Sequence, residues 1–448
     1  MKIAECKTYD PRVDVFKKFF RENEQLIVLQ VDKKVDLIIE EKSVYLEKVK
    51  QALSDNFKEV VNYNEKSMKK DLVLYRTLLK STFGKSMPNN QILKLYPTTS
   101  LSDAYGTVKL HKPNEPLRLI VTSYNSMIKN SEKFLKKFLK PLVNECSYSM
   151  KNTKTCKQKF LEDKKKFIPE QHSVISIDIQ KMYGSMNVVR VISIILEKVY
   201  QDPKKFFQFK DENGNLLPPP ERENFKQFLL KTLRNFTKIR TPVGIFEQTQ
   251  GLSMGSALSP MLANILVNNL EQKIVKNFEE TGKIVHYTRY VDDSIIIIRK
   301  SSIRQFLKQI NNFDEKLVFT LEEMNVERKL IYLDMLIFIN EKHSLEFIKY
   351  RKNSVDTVIT NFERSIVDRK YTKGGIITNI HREYHSSSSD ELFLESLDEL
   401  REVYERNSYP KRLVDSKINL FSPDFKKPEL VRFKHTIVLE YTSSLIDS

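Results

Sequence analysis

The chain has 448 residues, 40% of them hydrophobic and 30% charged, so it can build a sizeable core and is not disordered throughout. Ten glycines and 16 prolines exclude collagen-like and low-complexity classes, and three cysteines give no disulfide framework. Lysine and arginine exceed aspartate and glutamate by 75 − 58 = 17 charges, which favours a polyanionic partner, with a coding bias toward lysine as the alternative.

The first part of the chain predicts helices interrupted by two hairpins. Two β-rich runs at 26–31 and 35–39 flank a short turn, and an amphipathic helix follows over 45–61. A basic hairpin is predicted within 106–126, with its turn at Pro113–Pro116, and a cationic helix over 129–143.

The central part predicts one layered domain. A buried strand at 173–179 leads into a helical stretch that reaches about residue 200. Further elements follow in this order: a helix with one buried face at 261–278, two strands around a turn within 283–299, a helix at 303–313, and strands at 317–321 and 330–339. This order indicates an α+β fold, an antiparallel sheet with helices on one side. A helical C-terminal region follows from about residue 341, with a helix at 390–406.

Three carboxylates lie where apolar strands end. Asp178 ends the strand at 173–179, and Asp292 and Asp293 occupy the turn of a hairpin whose arms are apolar. Charged residues rarely interrupt a core sheet unless they are paired or bind metal, so the three side chains are candidates to hold two Mg²⁺ ions. An ordinary hairpin turn is the alternative for Asp292 and Asp293, because aspartate is a favoured turn residue.

A second candidate region is the segment QGLSMGSALSP, from Gln250 to Pro260. Its two glycines permit close approach of the backbone to a ligand, and its three serines, Ser253, Ser256 and Ser259, can cap the helix that follows. Such an N-terminus favours negative charge, although a purely structural cap explains the pattern as well.

The basic hairpin is the third candidate region. Lys109, His111, Lys112 and Arg118 surround its turn and could clamp a triphosphate, whereas a solvated loop is the alternative when the hairpin is taken alone. Together the three regions favour nucleotidyl transfer, because each supplies a different part of one site.

The order of these motifs resembles a reverse transcriptase, and more narrowly the Penelope-like retroelement enzymes, which are relatives of the telomerase catalytic subunit. The resemblance rests on KLHKP and PLRLIV, then SIDIQKMY, QGLSMGSALSP and YVDD. Weaker matches are VDKKVDLIIEEKSVYLEKV early in the chain, FTLEEMN and IYLDMLIF after the central motifs, and NSYPKRL near residue 410. Lys34 stands where this family usually has glycine.

The resemblance implies a role for each matching residue. Asp178 and Asp292 would be metal ligands, with Asp293 beside them and the main-chain oxygen of Ile179 as a further ligand. Tyr183 would exclude a ribose 2′-OH, with a plain core aromatic as the alternative. Lys109 and Arg118 match cations that bind the triphosphate. Gln250 and Gly251 match residues that support the incoming nucleotide and the template. Leu333-Asp334 lies near the region of the primer grip.

The resemblance also implies the architecture and the partners. We expect a right-hand polymerase with an N-terminal extension at 1–100, fingers at 101–172, a palm sheet backed by helices at 173–340 and a thumb at 341–448. The cofactor would be two Mg²⁺ ions, with Mn²⁺ as an alternative. The partners would be an RNA template, a DNA or RNA primer and dNTPs, without a membrane. We expect a protein that is not secreted, nuclear in a eukaryote and otherwise cytoplasmic.

A second departure from the family and two rival functions remain. The sequence contains no GIY-YIG nuclease motif, so we expect no endonuclease activity and a separate nuclease as a candidate partner. The rivals are an RNA-dependent RNA polymerase and a domesticated nucleic-acid-binding protein without activity. His381 and His385 are four residues apart but do not form an HExxH motif, so we do not predict a zinc site there.

Overall fold

The computed structural model describes residues 11–32, 37–110, 112–122, 124–351, 359–365 and 367–421. It divides into two compact units, Met1–Leu345 and Glu346–Ser448. Lys34 and His111 lie outside the described residues. The helices of the first unit are α1 (Pro11–Glu22), α2 (Lys42–Ser54), α3 (Glu65–Phe83), α4 (Asn89–Leu93), α5 (Lys129–Phe138), α6 (Lys140–Asn144), α7 (Thr153–Asp163), α8 (Val188–Gln201), α9 (Pro203–Phe206), α10 (Arg222–Leu233), α11 (Ser259–Leu270), α12 (Lys276–Glu280) and α13 (Ile303–Asn311).

The strands of the first unit form two larger sheets and two hairpins. They are β1 (Leu26–Gln30), β2 (Leu37–Glu41), β3 (Phe57–Glu59), β4 (Ser102–Val108), β5 (Leu117–Val121), β6 (His172–Ile179), β7 (Lys238–Thr241), β8 (Gly244–Gln248), β9 (Ile284–Tyr290), β10 (Asp293–Arg299), β11 (Phe319–Glu323), β12 (Lys329–Tyr332) and β13 (Met335–Ile339). The first sheet has the order β11-β6-β10-β9 and is antiparallel throughout; the second has the order β3-β8-β7-β4-β5.

The antiparallel sheet is buried on both faces. Because side chains alternate along a strand, Ile175 and Ile177 of β6 join Ile296 and Ile298 of β10 on the face covered by α8 and α11. The prediction of helices on one side is therefore met, but the second face is covered too. There α7 packs on β9, with Phe160 5.1 Å from the ring of His286.

The second sheet contains strands that the sequence pattern did not indicate. The predicted helix at 45–61 ends earlier, at Ser54, because β3 follows it and pairs with β8. β7 and β8 pair antiparallel with each other, and β7 joins β4 in parallel. The basic hairpin forms as predicted, with Val108 opposite Leu117.

Two predicted central elements differ in detail. The helix at 261–278 is continuous but changes to a π-helix over Glu271–Val275 between α11 and α12. The strand at 330–339 is instead a hairpin of β12 and β13, with Leu333 in the left-handed region at φ 54° in the turn.

The second unit is a small helical bundle. It contains strand β14 (Leu345–Lys349), which begins at the boundary, and helices α14 (Arg369–His385), α15 (Asp390–Arg406) and α16 (Lys411–Asn419), so the predicted helix at 390–406 is confirmed. The core includes Ile376, Ile380, Leu400 and Tyr404. Among the helices described in either unit, none is long and apolar enough to cross a membrane.

Candidate active site

The three predicted carboxylates meet at one edge of the antiparallel sheet. Asp178 of β6 lies directly opposite Asp293 of β10, and Asp292 occupies the turn before β10. One oxygen from each side chain lies within 4.8 Å of the others, an arrangement that can hold a metal ion. Burial and the negative charge of Asp292 raise the pKa of Asp178, whereas a hydrogen bond with Asp293 lowers it. The cluster is therefore destabilised by its own charge.

The turn that carries Asp292 is strained. Between β9 and β10 only Val291 and Asp292 form the loop, and Val291 adopts φ 61°. A β-branched residue in this region costs roughly 1–2 kcal/mol. Strain of this kind persists only where the surroundings fix the conformation, and it is often found at functional sites.

The glycine loop, Gln250–Pro260, leads from β8 of the second sheet into helix α11. A Cβ at Gly251, whose φ is +62°, would overlap the carbonyl oxygen of Gly184, and one at Gly255, at φ +105°, would overlap the carbonyl oxygen of Val121. The amide of Leu252 donates to the carbonyl oxygen of Tyr183 at 2.7 Å. The loop is thus held against the segment after β6 and against β5, and glycine is required at both positions.

The three serines of this loop do not cap α11. The first turn of α11 has no side-chain cap, although Pro260 lies in it as predicted. The Ser259 hydroxyl donates to the carbonyl oxygen of Ser253 at 2.7 Å, and the Ser256 hydroxyl donates to Glu132 at 2.7 Å. The prediction of serine caps is wrong, because the hydroxyls stabilise the loop itself.

Tyr183 lies beside this loop and is half-buried. Burial and the charge of Asp292 raise its pKa. Its backbone is fixed by Leu252 and by the Gly251–Gly184 contact. The Gly251 carbonyl oxygen in turn accepts a hydrogen bond from Arg234 at 2.9 Å. Arg234 had no assigned role in the sequence patterns, and burial lowers its pKa to about 10.

Two predicted cations line a cavity of about 430 Å³. Lys109 and Arg118 are joined there by Lys181, Gly184 and Ser253. Burial lowers the pKa of Lys109, and so does the charge of Arg118. An anion in this cavity would relieve both effects.

Asp32 is a buried residue that the motifs left without a role. Its side chain is 7% exposed, and its Oδ1 lies 3.1 Å from Nε of Arg118. Its amide donates to the carbonyl oxygen of Val108 at 2.8 Å, which fixes this segment on the basic hairpin. The sequence shows Asp32 within the segment VDKKVDLIIEEKSVYLEKV, but it does not show that Arg118 is its partner.

The remaining predicted residues lie around these features. Gln250 is exposed, and its Oε1 lies 3.4 Å from Nζ of Lys316. The carboxylates, Tyr183, Gln250 and Gly251 do not line the cavity that holds Lys109 and Arg118. Leu333 lies in the β12–β13 turn, and Tyr332 beside it donates to the carbonyl oxygen of Asp293 at 3.3 Å.

Comparisons with known proteins bear on the family and the fold of the chain. Residues 110–327 match the family described as reverse transcriptase (RNA-dependent DNA polymerase). Telomerase from Candida albicans, solved with the TWJ fragment of telomeric RNA, is similar with a TM-score of 0.56 and 12% identity over 90% of this chain and 65% of that chain. Apo telomerase from Candida tropicalis gives 0.50 and 13% over 94% and 72%. Its form truncated from the C-terminal domain gives 0.47 and 14% over 72% and 63%. No curated protein matches the chain.

The chain therefore spans less than two thirds of the length of two of these three structures. At 12–13% identity the similarity concerns the fold, and it confirms the predicted α+β right-hand polymerase. The family match covers the carboxylates, the glycine loop and Arg118. The match to the reverse transcriptase (RNA-dependent DNA polymerase) family spans residues 110–327, which is just under half of the chain.

Proposed function

We propose that the chain extends a primer 3′-hydroxyl with dNTPs on an RNA template, and that Asp178, Asp292 and Asp293 are its catalytic residues. The observation that carries the proposal is the convergence of the three carboxylates within the reverse transcriptase domain. Hard divalent cations such as Mg²⁺ prefer oxygen ligands, and the raised pKa of Asp178 indicates a cluster that a cation would stabilise. The donor set therefore fits the predicted cofactor.

Asp178, Asp292 and Asp293 would hold two Mg²⁺ ions, or Mn²⁺ in their place, with the Ile179 carbonyl oxygen as a further ligand. When bound, the ions would neutralise the negative charge on the attacking and leaving oxygens. The bond that forms joins the primer O3′ to the α-phosphorus, and the bond that breaks releases pyrophosphate. The carboxylates fix the site of this exchange on a rigid sheet edge.

Lys109 and Arg118 would bind the triphosphate of the incoming nucleotide, and the cavity supports this role. Its cations, with Lys181, are held close together although they repel one another. The Asp32 carboxylate forms an ion pair with the Arg118 guanidinium, with Oδ1 3.1 Å from Nε, and so restricts where the guanidinium can lie. Binding a triphosphate would replace repulsion by charge-assisted hydrogen bonds.

Tyr183 would lie against the sugar and exclude a 2′-hydroxyl. Support comes from its fixed backbone and from the influence of Asp292 on its pKa, which requires that the phenol lies near the carboxylates. Gln250 and Gly251 would support the nucleotide and the template, and Leu333-Asp334 the primer end.

We assign the sequence regions 101–172, 173–340 and 341–448 to fingers, palm and thumb, preceded by an N-terminal extension at 1–100. For the thumb, helix α14 supports a role in binding the primer–template duplex. Arg369, Lys370 and Lys373 are exposed on it, and Gly374 and Gly375 follow in mid-helix. Among the described residues, nothing lies within 4 Å of a Cβ built at either glycine. Glycine inside a helix costs about 1 kcal/mol relative to alanine, so close approach by a duplex backbone would explain the pair.

The Penelope-like origin is the finer part of the proposal, and it rests on the order of motifs from KLHKP to YVDD. Under this proposal the partners are an RNA template, a DNA or RNA primer and dNTPs, with 3′ ends supplied by a separate nuclease. An RNA-dependent RNA polymerase is the rival that the experiment must separate.

The experiment is primer extension on an RNA template, with dNTPs or NTPs, in Mg²⁺, Mn²⁺ or EDTA. We expect extension with dNTPs that requires a divalent ion, and no extension by Asp178→Asn. Asp163→Asn is the matched control, because Asp163 is an aspartate on α7 that contacts His286 and not the triad. Preference for NTPs would favour the rival polymerase. Extension by Asp178→Asn at the wild-type rate would contradict the assignment of the site.

A further inference from the structure

A fully buried ion pair lies directly behind the turn that carries Asp292. Arg289 of β9 is 1% exposed, and Glu271, the first residue of the π-helix, is 0% exposed. Nε of Arg289 donates to Oε1 of Glu271 at 2.6 Å, and its second terminal nitrogen donates to Oε2 at 3.2 Å. Both carboxylate oxygens are thus occupied by one guanidinium, which fixes its plane.

The remaining guanidinium nitrogen of Arg289 reaches the strained turn. It donates to the carbonyl oxygen of Val291 at 2.8 Å and to the side-chain oxygen of Asn264 at 2.9 Å. Asn264 and Glu271 are seven residues apart and therefore lie on one face of the helix. The hydroxyl of Tyr287 also donates to Glu271, at 3.2 Å. The helix side of the network thus holds Arg289 at several points.

The turn has a second anchor on its other side. The carbonyl oxygen of Asp292 accepts a hydrogen bond from the amide of Ile179 at 3.2 Å. The main chain around Val291 is therefore held by Arg289 and by β6 at successive carbonyl groups. Val291 would relax from φ 61° if either hold were lost, and Asp292 would move with it.

We infer that Arg289, oriented by Glu271, is a positioning residue that fixes the Val291–Asp292 turn so that the Asp292 carboxylate meets Asp178. The inference rests on the proposed function, because it takes the triad as the metal site. A buried ion pair is by itself weak evidence for a contribution to stability. The hydrogen bond that Arg289 donates to the carbonyl oxygen of Val291, the strained residue of the turn, gives this pair a role at the site.

The test uses variants that keep the fold. Replacing Arg289 alone by an apolar residue would leave Glu271 as an unpaired buried charge and unfold the protein, so both members are changed together, as Glu271→Met with Arg289→Met. Arg289→Lys is the second variant. It keeps a cation beside Glu271 but cannot hold the carboxylate and the Val291 carbonyl group in one fixed plane.

The first readout is the Mg²⁺ concentration that gives half-maximal extension, measured with saturating dNTP and primer–template. Groups that orient metal ligands typically change metal affinity by about 10–100-fold, so we expect at least a tenfold increase in both variants. The second readout, independent of activity, is the rise in melting temperature on adding Mg²⁺, which should shift to higher Mg²⁺ in the same way. Binding of primer–template without metal should stay unchanged.

The control breaks another buried pair on the same strand. Asp163→Asn removes the partner of His286, whose side chain is on the opposite face of β9 from Arg289. It should lower the melting temperature without changing the Mg²⁺ requirement. Folded variants of Arg289 with the wild-type Mg²⁺ requirement would show that the network is merely structural and would overturn the inference. Absence of extension by the wild-type protein would instead refute the proposed function.

Discussion

The substitution Asp178→Asn should raise stability in the absence of metal while it abolishes activity. The pKa of Asp178 is raised in the folded protein, so between the ordinary value of 3.8 and the raised value the folded state binds more protons than the unfolded state. Stability therefore falls as pH rises through this window, and the loss is complete once the pH exceeds the raised pKa. Asparagine cannot ionise, so the variant does not undergo this loss of stability.

The size of this effect follows from the geometry. Two unit charges about 4 Å apart in a water-like medium repel by about 1 kcal/mol, and the half-exposed triad is close to this limit. For a large unit, the melting temperature in EDTA should rise by roughly 1–2 °C. At a Mg²⁺ concentration a hundred times the dissociation constant, the wild-type protein should gain about 2.7 kcal/mol, most of which the variant should lose. The order of stability should thus reverse on adding Mg²⁺.

The assay is thermal unfolding at pH 7 in EDTA and over a Mg²⁺ titration, beside primer extension with the same preparations. Asp163→Asn is a control with the opposite sign. Burial raises the pKa of Asp163, but hydrogen bonds from His286 and Lys166 outweigh this and lower it to about 2. Its carboxylate therefore stabilises the fold at neutral pH, and this stabilisation is lost only as pH falls toward 2. The control should melt lower in both buffers. An Asp178→Asn protein that melts below wild type in EDTA would refute the reasoning.

Four further predictions concern substrate choice, binding and cleavage. Tyr183→Val should lower the ratio of kcat/KM for dNTP over NTP by roughly a hundred-fold, because shape alone rejects an added hydroxyl by only a few kcal/mol; an unchanged ratio would make Tyr183 a core aromatic. Affinity for primer–template should fall on the order of a thousand-fold between about 50 and 200 mM salt if six or so phosphates are neutralised. An affinity that does not depend on salt would show that the net positive charge does not serve to bind nucleic acid. Gly374→Ala with Gly375→Ala should stabilise helix α14 by about 1 kcal/mol per site yet weaken duplex binding. Unchanged binding would show that the duplex does not contact this face of α14. Purified protein should not nick supercoiled plasmid in Mg²⁺, and nicking that survives Asp178→Asn would reveal a nuclease.

The sequence pattern was sufficient for elements whose own residues decide their structure. Ile295–Ile298 form an apolar, β-branched run that is typical of a buried strand, and the helix at 261–278 has one apolar face that the rest of the fold must cover. The carboxylates could be predicted for the same reason, because a charge next to such a strand needs a partner or a metal.

Strands that depend on their neighbours were not visible in advance. β3, β7 and β8 read FKE, KIRT and GIFEQ, short polar segments without a clear alternation. They are strands because they pair with one another and with β4, which local propensity does not encode. The helix predicted to continue to residue 61 ends for this reason.

Contacts between distant segments were equally hidden at the site. Asp32 with Arg118, and Gly251 with Gly184, meet only after the second sheet and the glycine loop have formed. Arg289 left one signal. It is the one lysine or arginine in the strand IVHYTRY, and by the rule applied to Asp178 it should have been given a partner.

The unfavourable interactions of this site lie at one edge of the antiparallel sheet, and the rigidity of that sheet explains why they persist. Val291 is held in a strained conformation, and Asp178 and Asp292 repel each other. Val291 is held by the hydrogen bond from Arg289. Moving Asp178 away from Asp292 would require the ends of β6 and β10 to separate, but their residues are paired in register from Asp178–Asp293 to His172–Arg299 and are largely buried. Because strain persists only where surrounding packing fixes it, a site of this kind needs a rigid sheet immediately behind it. Substitutions that relieve the cost at this edge should therefore stabilise the fold and impair the reaction, which is the trade-off that Asp178→Asn measures.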